Sequence, residues 1–181
     1  MYSDHMLDRE SFTFTGHLII ESSNIGLKQI ELLPCLSEED SLRARMVNVE
    51  IHFRGKSPLY ENLGQDLHTY LSGSFADLQY QVDLRGMTPF TRRVLEIAQR
   101  IPWGETETYG SLSSRLRPKG SPRAVGRALG RNPVPIIIPC HRIIRKGGIL
   151  GGFSSGTFWK RFFLNLEQGR SPGIQTEFLW D

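Results

Sequence analysis

Cysteine is scarce in this chain, and long apolar runs are missing. The 181 residues include only two cysteines, Cys35 and Cys140, too few for the disulfide framework that is typical of small secreted domains. No apolar run approaches the ~20 residues that a membrane-spanning helix needs. The first ten residues lack a basic segment followed by an apolar one, so no secretory signal is predicted. We therefore expect a protein of a reducing compartment, with no membrane contact.

Charge of one sign is scarce in each half of the chain. Through Arg85 the sequence has 7 lysines and arginines against 13 acidic residues, and from Gly86 onward it has 15 against 6. A basic half joined to an acidic half suggests one surface that faces a polyanion. The length allows one large domain or two small ones. We place a boundary at Arg85–Met87, where composition and charge change, and expect nucleic acid as the partner class.

The acidic half shows strand and helix patterns but no catalytic motif. Apolar and polar residues alternate over 11–22, 27–33 and 47–54, which predicts three strands with the first two in a hairpin. Apolar residues recur at helical spacing from Leu59 to Leu71, so a helix is predicted there. A last short strand is predicted at Tyr80–Leu84.

Histidines are scattered through the acidic half without a recognisable metal-ligand spacing. His5, His17, His52 and His68, together with Cys35, could in principle hold a metal ion. Their spacing matches no zinc pattern. We therefore expect structural histidines and no metal site.

The basic half predicts three helices in succession. Thr88 caps the first, with Pro89 at its first position; a second covers about Tyr109–Leu116; and a third begins at Ser121-Pro122. Two short helices joined by a tight Pro/Gly turn are typical of a helix-turn-helix. A final amphipathic helix, rich in aromatic residues, reaches Glu167.

The third helix combines a row of arginines with residues that have almost no side chain. The arginines recur every four residues and therefore share one face: Arg123, Arg127 and Arg131. The small residues between them are Ala124, Gly126, Ala128 and Gly130. Glycine costs about 1 kcal/mol within a helix, so these residues indicate a close approach of the backbone to another body. Arginines on the same helix can bind phosphates. The pattern therefore favours a helix that binds in a nucleic-acid groove over one that packs tightly against another helix.

Three prolines stiffen Pro133–Arg142, which carries Cys140 and His141 near its end. Such a stiff segment could present a nucleophile. It could equally be a buried strand that happens to end in Cys-His. A thiol needs a basic neighbour to become a thiolate. Adjacent side chains in extended backbone point opposite ways, so a bridging water or a local turn would be required. Glu167 could orient the imidazole, or it could lie in solvent.

Several short motifs of the basic half resemble those of the O6-alkylguanine-DNA alkyltransferases. They are Ile101-Pro102-x-Gly104-Glu105-Thr106, Tyr109-Gly110-x-Leu112, Arg123-Ala124-Val125-Gly126, Asn132-Pro133-x-Pro135, Pro139-Cys140-His141-Arg142 and Gly152-x-Ser154. The Pro-Cys-His-Arg core with its upstream asparagine is highly specific. The resemblance covers roughly Thr88–Gly169, whereas the acidic half matches only in size and strand order.

The resemblance implies an α+β fold in two domains. Residues 1–86 would form an N-terminal ribonuclease-H-like α/β domain. Residues 87–170 would form a mostly helical, winged helix-turn-helix-like domain for DNA binding and alkyl transfer. Residues 171–181 would be a C-terminal tail packed on the surface.

The resemblance also implies repair of DNA by direct reversal of damage. A methyl or larger alkyl group would pass irreversibly, in a single turnover, from O6 of guanine or O4 of thymine to Cys140. His141 would act as base through a water, Glu167 would support His141, and Asn132 would brace the site. Tyr109 would donate a hydrogen bond to the guanine. The transfer would need no cofactor.

The implied partner is double-stranded DNA that contains O6-alkylguanine, bound through its minor groove by a monomer. Arg123 would fill the space left by the flipped base. The residues implied in DNA binding are Tyr109, Arg123, Ala124, Gly126, Arg127, Gly130 and Arg131. The residues implied in the wall of the base pocket are Pro135, Ile143, Phe153, Ser154 and Ser155. Such a protein would work in the cytoplasm, at the nucleoid of a prokaryote, or in the nucleus of a eukaryote.

The sequence departs from the family's motifs at two places, and two functions other than alkyl transfer stay open. Phe153 stands where family members often carry tyrosine, and the familiar Glu-Gly ending appears as Glu167-Gln168-Gly169. A non-catalytic sensor of alkyl lesions is one alternative, although the presence of Cys140 argues against it. A cysteine hydrolase with an incidental helix-turn-helix is the other; it would turn over many times, and it leaves the arginine row unexplained.

Overall fold

The computed structural model of the chain describes residues 12–33, 44–170 and 173–180. The strands are β1 (Phe12–Ser22), β2 (Leu27–Leu33), β3 (Ala44–Arg54), β4 (Glu107–Thr108), β5 (Ile143–Ile144) and β6 (Gly173–Trp180). Four of them form one sheet in the order β2-β1-β3-β6, and β4 pairs with β5. Strand β1 is antiparallel to β2 and parallel to β3, which is parallel to β6. The predicted hairpin and third strand are confirmed.

Five α-helices lie in the described part of the chain, so the fold is a mixed α+β one. They are α1 (Leu59–Leu71), α2 (Pro89–Gln99), α3 (Tyr109–Arg115), α4 (Pro122–Leu129) and α5 (Thr157–Glu167). All five occur where the sequence predicts a helix. None is both long enough and apolar enough to cross a membrane.

Burial alternates along the central strand β3, which is why it can join a sheet with one covered face. Ile51 and Phe53 are fully buried, whereas Glu50 and His52 between and beside them are only partly covered. Each fully buried side chain of this size contributes about 1.5–3 kcal/mol. Helix α1 covers the apolar face, and the ring centroid of Tyr60 lies 4.8 Å from that of Phe53. The opposite face carries the polar side chains.

The C-terminal segment departs from the prediction of a surface tail. Strand β6 lies along β3 in parallel, with Met46 opposite Gly173 and Phe53 opposite Trp180. The final residues therefore extend the sheet whose first strand begins at Phe12. The prediction was wrong for 173–180 because β3 offers unpaired backbone groups along its open edge, and a pairing over so long a sequence separation leaves no local signal.

The last strand predicted in the acidic half does not form as an element. Within Tyr80–Leu84, a single bridge joins Val82 to Leu27. The N–H of Leu27 donates to the carbonyl of Gln81, and the N–H of Asp83 donates to the carbonyl of Leu27. These two bonds hold the segment against the hairpin but do not continue into a ladder.

Side-chain caps begin the first three of the four helices in the basic half. Thr88 accepts a hydrogen bond from the N–H of the residue three places on, and Thr108 and Ser121 do the same for α3 and α4. Such a cap contributes about 1 kcal/mol. Pro89 and Pro122 follow two of these caps at positions where the missing N–H costs nothing. Local sequence therefore fixes where these helices start, and α3 and α4 pack side by side.

One hydrophobic core joins the two halves of the chain. Buried side chains from Leu18 on β1 to Leu166 on α5 belong to the same cluster. The N–H of Ile30, on β2, donates to the carbonyl of Pro133 at 2.8 Å. The acidic half therefore supports the proline-rich stretch directly.

Candidate functional site

Tight turns, not an extended strand, deliver Cys140. Ile136 has φ of 77°, a strained conformation for a β-branched residue and one that clusters at functional sites. Pro139 has φ −77° and ψ 61°, the values of an inverse γ-turn, and the N–H of Cys140 donates to the carbonyl of Ile138 at 2.7 Å. A 3-10 turn over Cys140–Arg142 follows. The segment is therefore neither of the extended forms considered from sequence, and the local turn that adjacent Cys and His would need is present.

Asn132 braces the thiol from the preceding loop. Its side-chain amide donates to the carbonyl of Ile138 at 2.8 Å and to Sγ of Cys140 at 3.0 Å. Its carbonyl oxygen accepts from the N–H of Val134 at 3.1 Å. One buried side chain thus spans both ends of the turn and places a hydrogen-bond donor on the sulfur.

Burial keeps the Cys140 thiol protonated at rest. Only 5% of the residue is exposed, and this burial raises the pKa of Cys140 to about 11, against the opposing effects of Asn132 and Lys160. At neutral pH roughly one molecule in ten thousand would then carry a thiolate. A nearby base is needed if the sulfur is to act as a nucleophile.

His141 provides an imidazole with one free nitrogen. Its Nε2 lies 2.8 Å from Oε1 of Glu167, and both side chains are almost entirely buried, at 0% and 1% exposed. A carboxylate can only accept, so Nε2 carries the hydrogen and Nδ1 keeps its lone pair. No described residue forms a hydrogen bond with Nδ1. Burial lowers the pKa of His141, against the effect of Glu167, and the ring is therefore neutral and able to accept a proton.

Glu167 is the centre of a buried network. Besides His141, it accepts from Nε and an NH2 group of Arg142, from the hydroxyl of Tyr70 at 2.8 Å, and from the N–H of Gly104 at 3.2 Å. Burial alone would raise the pKa of Glu167, but His141 and Arg142 outweigh it and lower the pKa to about 2. The glutamate is therefore an anion at every physiological pH and does not lie in solvent.

Three members of the site were missed from sequence. Tyr70 comes from α1 of the acidic half and was counted only as part of an apolar stripe. Arg142 also donates to the carbonyl of Ile101 at 2.6 Å. Lys160 is 0% exposed and donates to the carbonyls of Ile143 and Gly152. A signal for Lys160 was available, since it lies seven residues before Glu167 and so shares its helix face.

The charge of Lys160 is held close to the thiol. Burial lowers the pKa of Lys160 to about 8, against the effect of Cys140, which raises it. Its Nζ lies 5.8 Å from the centre of the Tyr109 ring. A thiolate that forms at Cys140 would therefore meet a nearby cation.

A cavity of about 690 Å³ opens beside Cys140, within the range of small-molecule sites. Its lining includes Tyr109, Arg123, Gly126, Gly130, Cys140, Phe153 and Ser154. Of the five residues expected to wall a base pocket, Phe153 and Ser154 line this cavity. Pro135, Ile143 and Ser155 are not among its lining residues, and the first two are buried. Gly126 faces Tyr109, whose ring a methyl group at that position would meet at 3.6 Å.

The arginine row lies on the surface next to the cavity. Arg123, Arg127 and Arg131 are exposed, and no salt bridge among the described residues involves any of them. Ala124 is half-buried, and Gly130 follows the end of α4. Three cations that neutralise no carboxylate form a surface suited to phosphates.

Comparisons with known proteins show which family the chain resembles. Residues 89–169 match the family model described as 6-O-methylguanine DNA methyltransferase, DNA binding domain. A methylated-DNA–protein-cysteine methyltransferase of Mycobacterium bovis is 42% identical over 112 residues, which are 62% of this chain and 67% of that protein. One from Methanosarcina mazei is 32% identical over 151 residues, covering 83% of this chain and 90% of that protein.

The resemblance extends to a solved structure over both halves. Mycobacterium tuberculosis OGT, crystallised in complex with DNA, superposes with a TM-score of 0.64 at 32% sequence identity, over 86% of this chain and 95% of that one. The match includes the acidic half, where sequence similarity was weak. The chain therefore belongs to the family of methylated-DNA–protein-cysteine methyltransferases.

Proposed function

We propose that this protein repairs alkylated DNA by moving the alkyl group from O6 of guanine to Cys140, once per molecule. The observation that carries the proposal is the position of the Cys140 sulfur. It lies on the wall of a cavity beside an exposed arginine row, with Asn132 on the sulfur, His141 in the same turn, and Glu167 reaching His141 from the end of α5. A nucleophile, its base and a surface for phosphates thus meet in one place.

The reaction is an in-line displacement at the alkyl carbon. The Cys140 proton passes through a water to Nδ1 of His141, and the sulfur attacks the carbon. The C–O6 bond breaks, its electron pair stays on the guanine, and a stable thioether forms at Cys140. Tyr109 donates a hydrogen bond to the departing base. Because no step regenerates the thiol, each molecule acts once.

The buried charges lower the cost of the proton transfer. Moving the Cys140 pKa of about 11 down to neutral pH corresponds to about 5 kcal/mol. The Asn132 amide on the sulfur and the charge of Lys160 already hold this pKa below the value that burial alone would give, and Glu167 stabilises the imidazolium that forms. The Cys140 thiolate and the His141 imidazolium therefore form among groups that are already oriented to stabilise both charges.

The DNA is bound through its minor groove by α4, with the damaged nucleotide flipped into the cavity. Arg123 lines the cavity and is exposed, so it can occupy the space that the base leaves. Arg127 continues the cationic row along α4, and Arg131 lies just beyond the end of that helix. O4-alkylthymine presents a similar oxygen and is a second substrate.

The finer architecture belongs to the same proposal. Residues 1–86 form a ribonuclease-H-like domain, completed here by β6, and residues 87–170 form a winged helix-turn-helix-like domain with α3 and α4 as its helix pair. The protein acts as a monomer. It works where genomic DNA lies, in the cytoplasm and nucleoid of a prokaryote or the nucleus of a eukaryote.

The test combines the protein with a duplex that carries one O6-methylguanine and weighs the peptide that contains Cys140. We expect a gain of one methylene equivalent on that peptide and no more than one transfer per molecule. Cys140→Ser should bind the duplex and gain no mass. Continued turnover would overturn the proposal in favour of a cysteine hydrolase. Binding without any mass gain by the unaltered protein would instead identify a lesion sensor.

A further inference from the structure

Two of the histidines that look scattered in the sequence lie together on the polar face of the sheet. His17 is on β1, Glu50 and His52 are on β3, and the parallel register sets His17 directly beside Glu50. Residues two apart on a strand point to the same side, so His52 joins them. His5 and Cys35 lie outside the described residues. The expectation of no clustered ligands therefore needs revision at this position.

Three possible metal-ligand atoms lie within 3.5 Å of one another there. Nδ1 of His17 lies 3.2 Å from Nε2 of His52 and 3.1 Å from Oε2 of Glu50, and Nε2 of His52 lies 3.5 Å from the same oxygen. Ligand atoms about 2.05 Å from a tetrahedral metal are about 3.3 Å apart. A point equidistant from the three atoms is about 1.9 Å from each. The triangle therefore has the size of a metal-ligand set.

Hydrogen bonding alone accounts poorly for this triangle. Each ring nitrogen has a single in-plane direction, along a lone pair or an N–H. That direction can serve one of the other two atoms well but not both, because they lie about 60° apart. Seen from each of the three atoms, the centre of the triangle lies midway between the other two, so a cation there can be shared by all three. On the same face, Oδ1 of Asn48 is buried and has no hydrogen-bond partner among the described residues, and it offers an acceptor for a metal-bound water.

We propose that His17, Glu50 and His52 form a binding site for a divalent first-row transition metal, Zn²⁺ in particular. Two imidazoles and one carboxylate suit zinc and its neighbours, whereas Mg²⁺ and Ca²⁺ prefer oxygen ligands. The three side chains are 24–37% exposed, so an ion can enter from solvent and keep a water as its fourth ligand. The site faces away from the apolar side of the sheet that α1 covers, and its role is to tie β1 to β3.

Cobalt(II) and zinc are the probes, added to protein in which Cys35→Ser and Cys140→Ser remove every thiol. We expect one ion per chain, with the visible absorption of tetrahedral cobalt and no thiolate-to-cobalt band. His17→Gln and His52→Gln should each weaken binding by more than about 100-fold, beyond the loss typical of outer partners. His68→Gln, a histidine of α1 away from the triangle, should leave binding unchanged.

Stability provides a second readout. At zinc concentrations about 100-fold above the dissociation constant, the midpoint of thermal unfolding should rise by roughly 5–10 °C, and this rise should vanish in Glu50→Gln. Circular dichroism before metal addition establishes that each variant is folded. Absence of binding by the thiol-free protein, or equal binding by His52→Gln and His68→Gln, would overturn the proposal. Methyl transfer by the protein with both cysteines intact should be the same with and without the ion.

Discussion

Replacing Glu167 by glutamine tests the buried network at its centre. The change keeps the shape of the side chain but removes the charge that accepts from His141, Arg142 and Tyr70. The cation of Arg142 then lies in the core without its anion, a loss that typically costs about 3–5 kcal/mol. The NH2 group of glutamine would also point its hydrogens at groups that themselves donate hydrogen bonds to this position.

The magnitude follows from the Glu167 pKa. It moves from an ordinary 4.5 in the unfolded chain to about 2 in the folded one, and each unit is worth about 1.36 kcal/mol, or about 3.4 kcal/mol in total. Because the folded pKa is the lower one, this stabilisation is fully present above pH 4.5 and is lost as pH falls toward 2. At pH 7, Glu167→Gln should therefore lower the midpoint of thermal unfolding by roughly 7–14 °C.

The assay is unfolding by urea, followed by circular dichroism at several pH values between 7 and 3. The difference between the unaltered protein and Glu167→Gln should shrink steadily below about pH 5. Glu105→Gln, at an exposed glutamate, is the matched control and should change stability by less than about 0.5 kcal/mol. A difference that stays the same at pH 7 and pH 3 would refute the electrostatic account.

Transfer kinetics give the same variant a second readout. The imidazolium that forms during proton transfer loses its counter-ion, so the rate of methyl transfer should fall by at least about 100-fold. The fall should appear in the rate at saturating duplex, since Glu167 is buried and does not face the arginine row. An unchanged rate would mean that His141 needs no anionic partner.

Three other outcomes follow from the structure. Tyr70→Phe should lower stability by about 2 kcal/mol in urea unfolding, because a hydroxyl is lost from the Glu167 carboxylate; a loss under about 0.5 kcal/mol would contradict this. Gly126→Ala should raise the midpoint of thermal unfolding by a few degrees while slowing repair of duplex DNA, since the added methyl fits against Tyr109 but narrows the cavity; faster repair would count against groove binding. Arg123→Ala should slow repair in duplex more than reaction with free O6-methylguanine, and equal losses would exclude a role in flipping the base.

Local sequence was sufficient to locate the helices. Three of the five start at a residue whose side chain caps the backbone, and two of these caps are followed by a proline at the first helical position, as with Thr88 and Pro89. Capping and proline placement depend only on residues that are close together in the sequence, so the sequence is enough to predict them. The family motifs likewise single out Cys140, Asn132 and His141, which lie together in the structure.

Long-range contacts could not be predicted in the same way. Tyr70 and Glu167 are 97 residues apart, and helical spacing only marks the tyrosine as buried. The positive φ of Ile136 runs against the preference of its own side chain, so only the surrounding fold can impose it. The contact between His17 and His52 exists because β1 and β3 are parallel neighbours. The alternation pattern of each strand does not predict which strand lies beside it.

Strand β6 has a consequence for how the protein is made. It pairs with β3 across more than a hundred residues, with Val47 opposite Ile174, and the proposed catalytic residues lie between them in the sequence. During synthesis the first three strands and the whole catalytic region leave the ribosome before the edge of the sheet can close. The sheet is therefore completed only after residues 173–180 have been made. A translation stop shortly after Arg170 would release a protein that has every proposed catalytic residue but an open sheet edge able to pair with other chains.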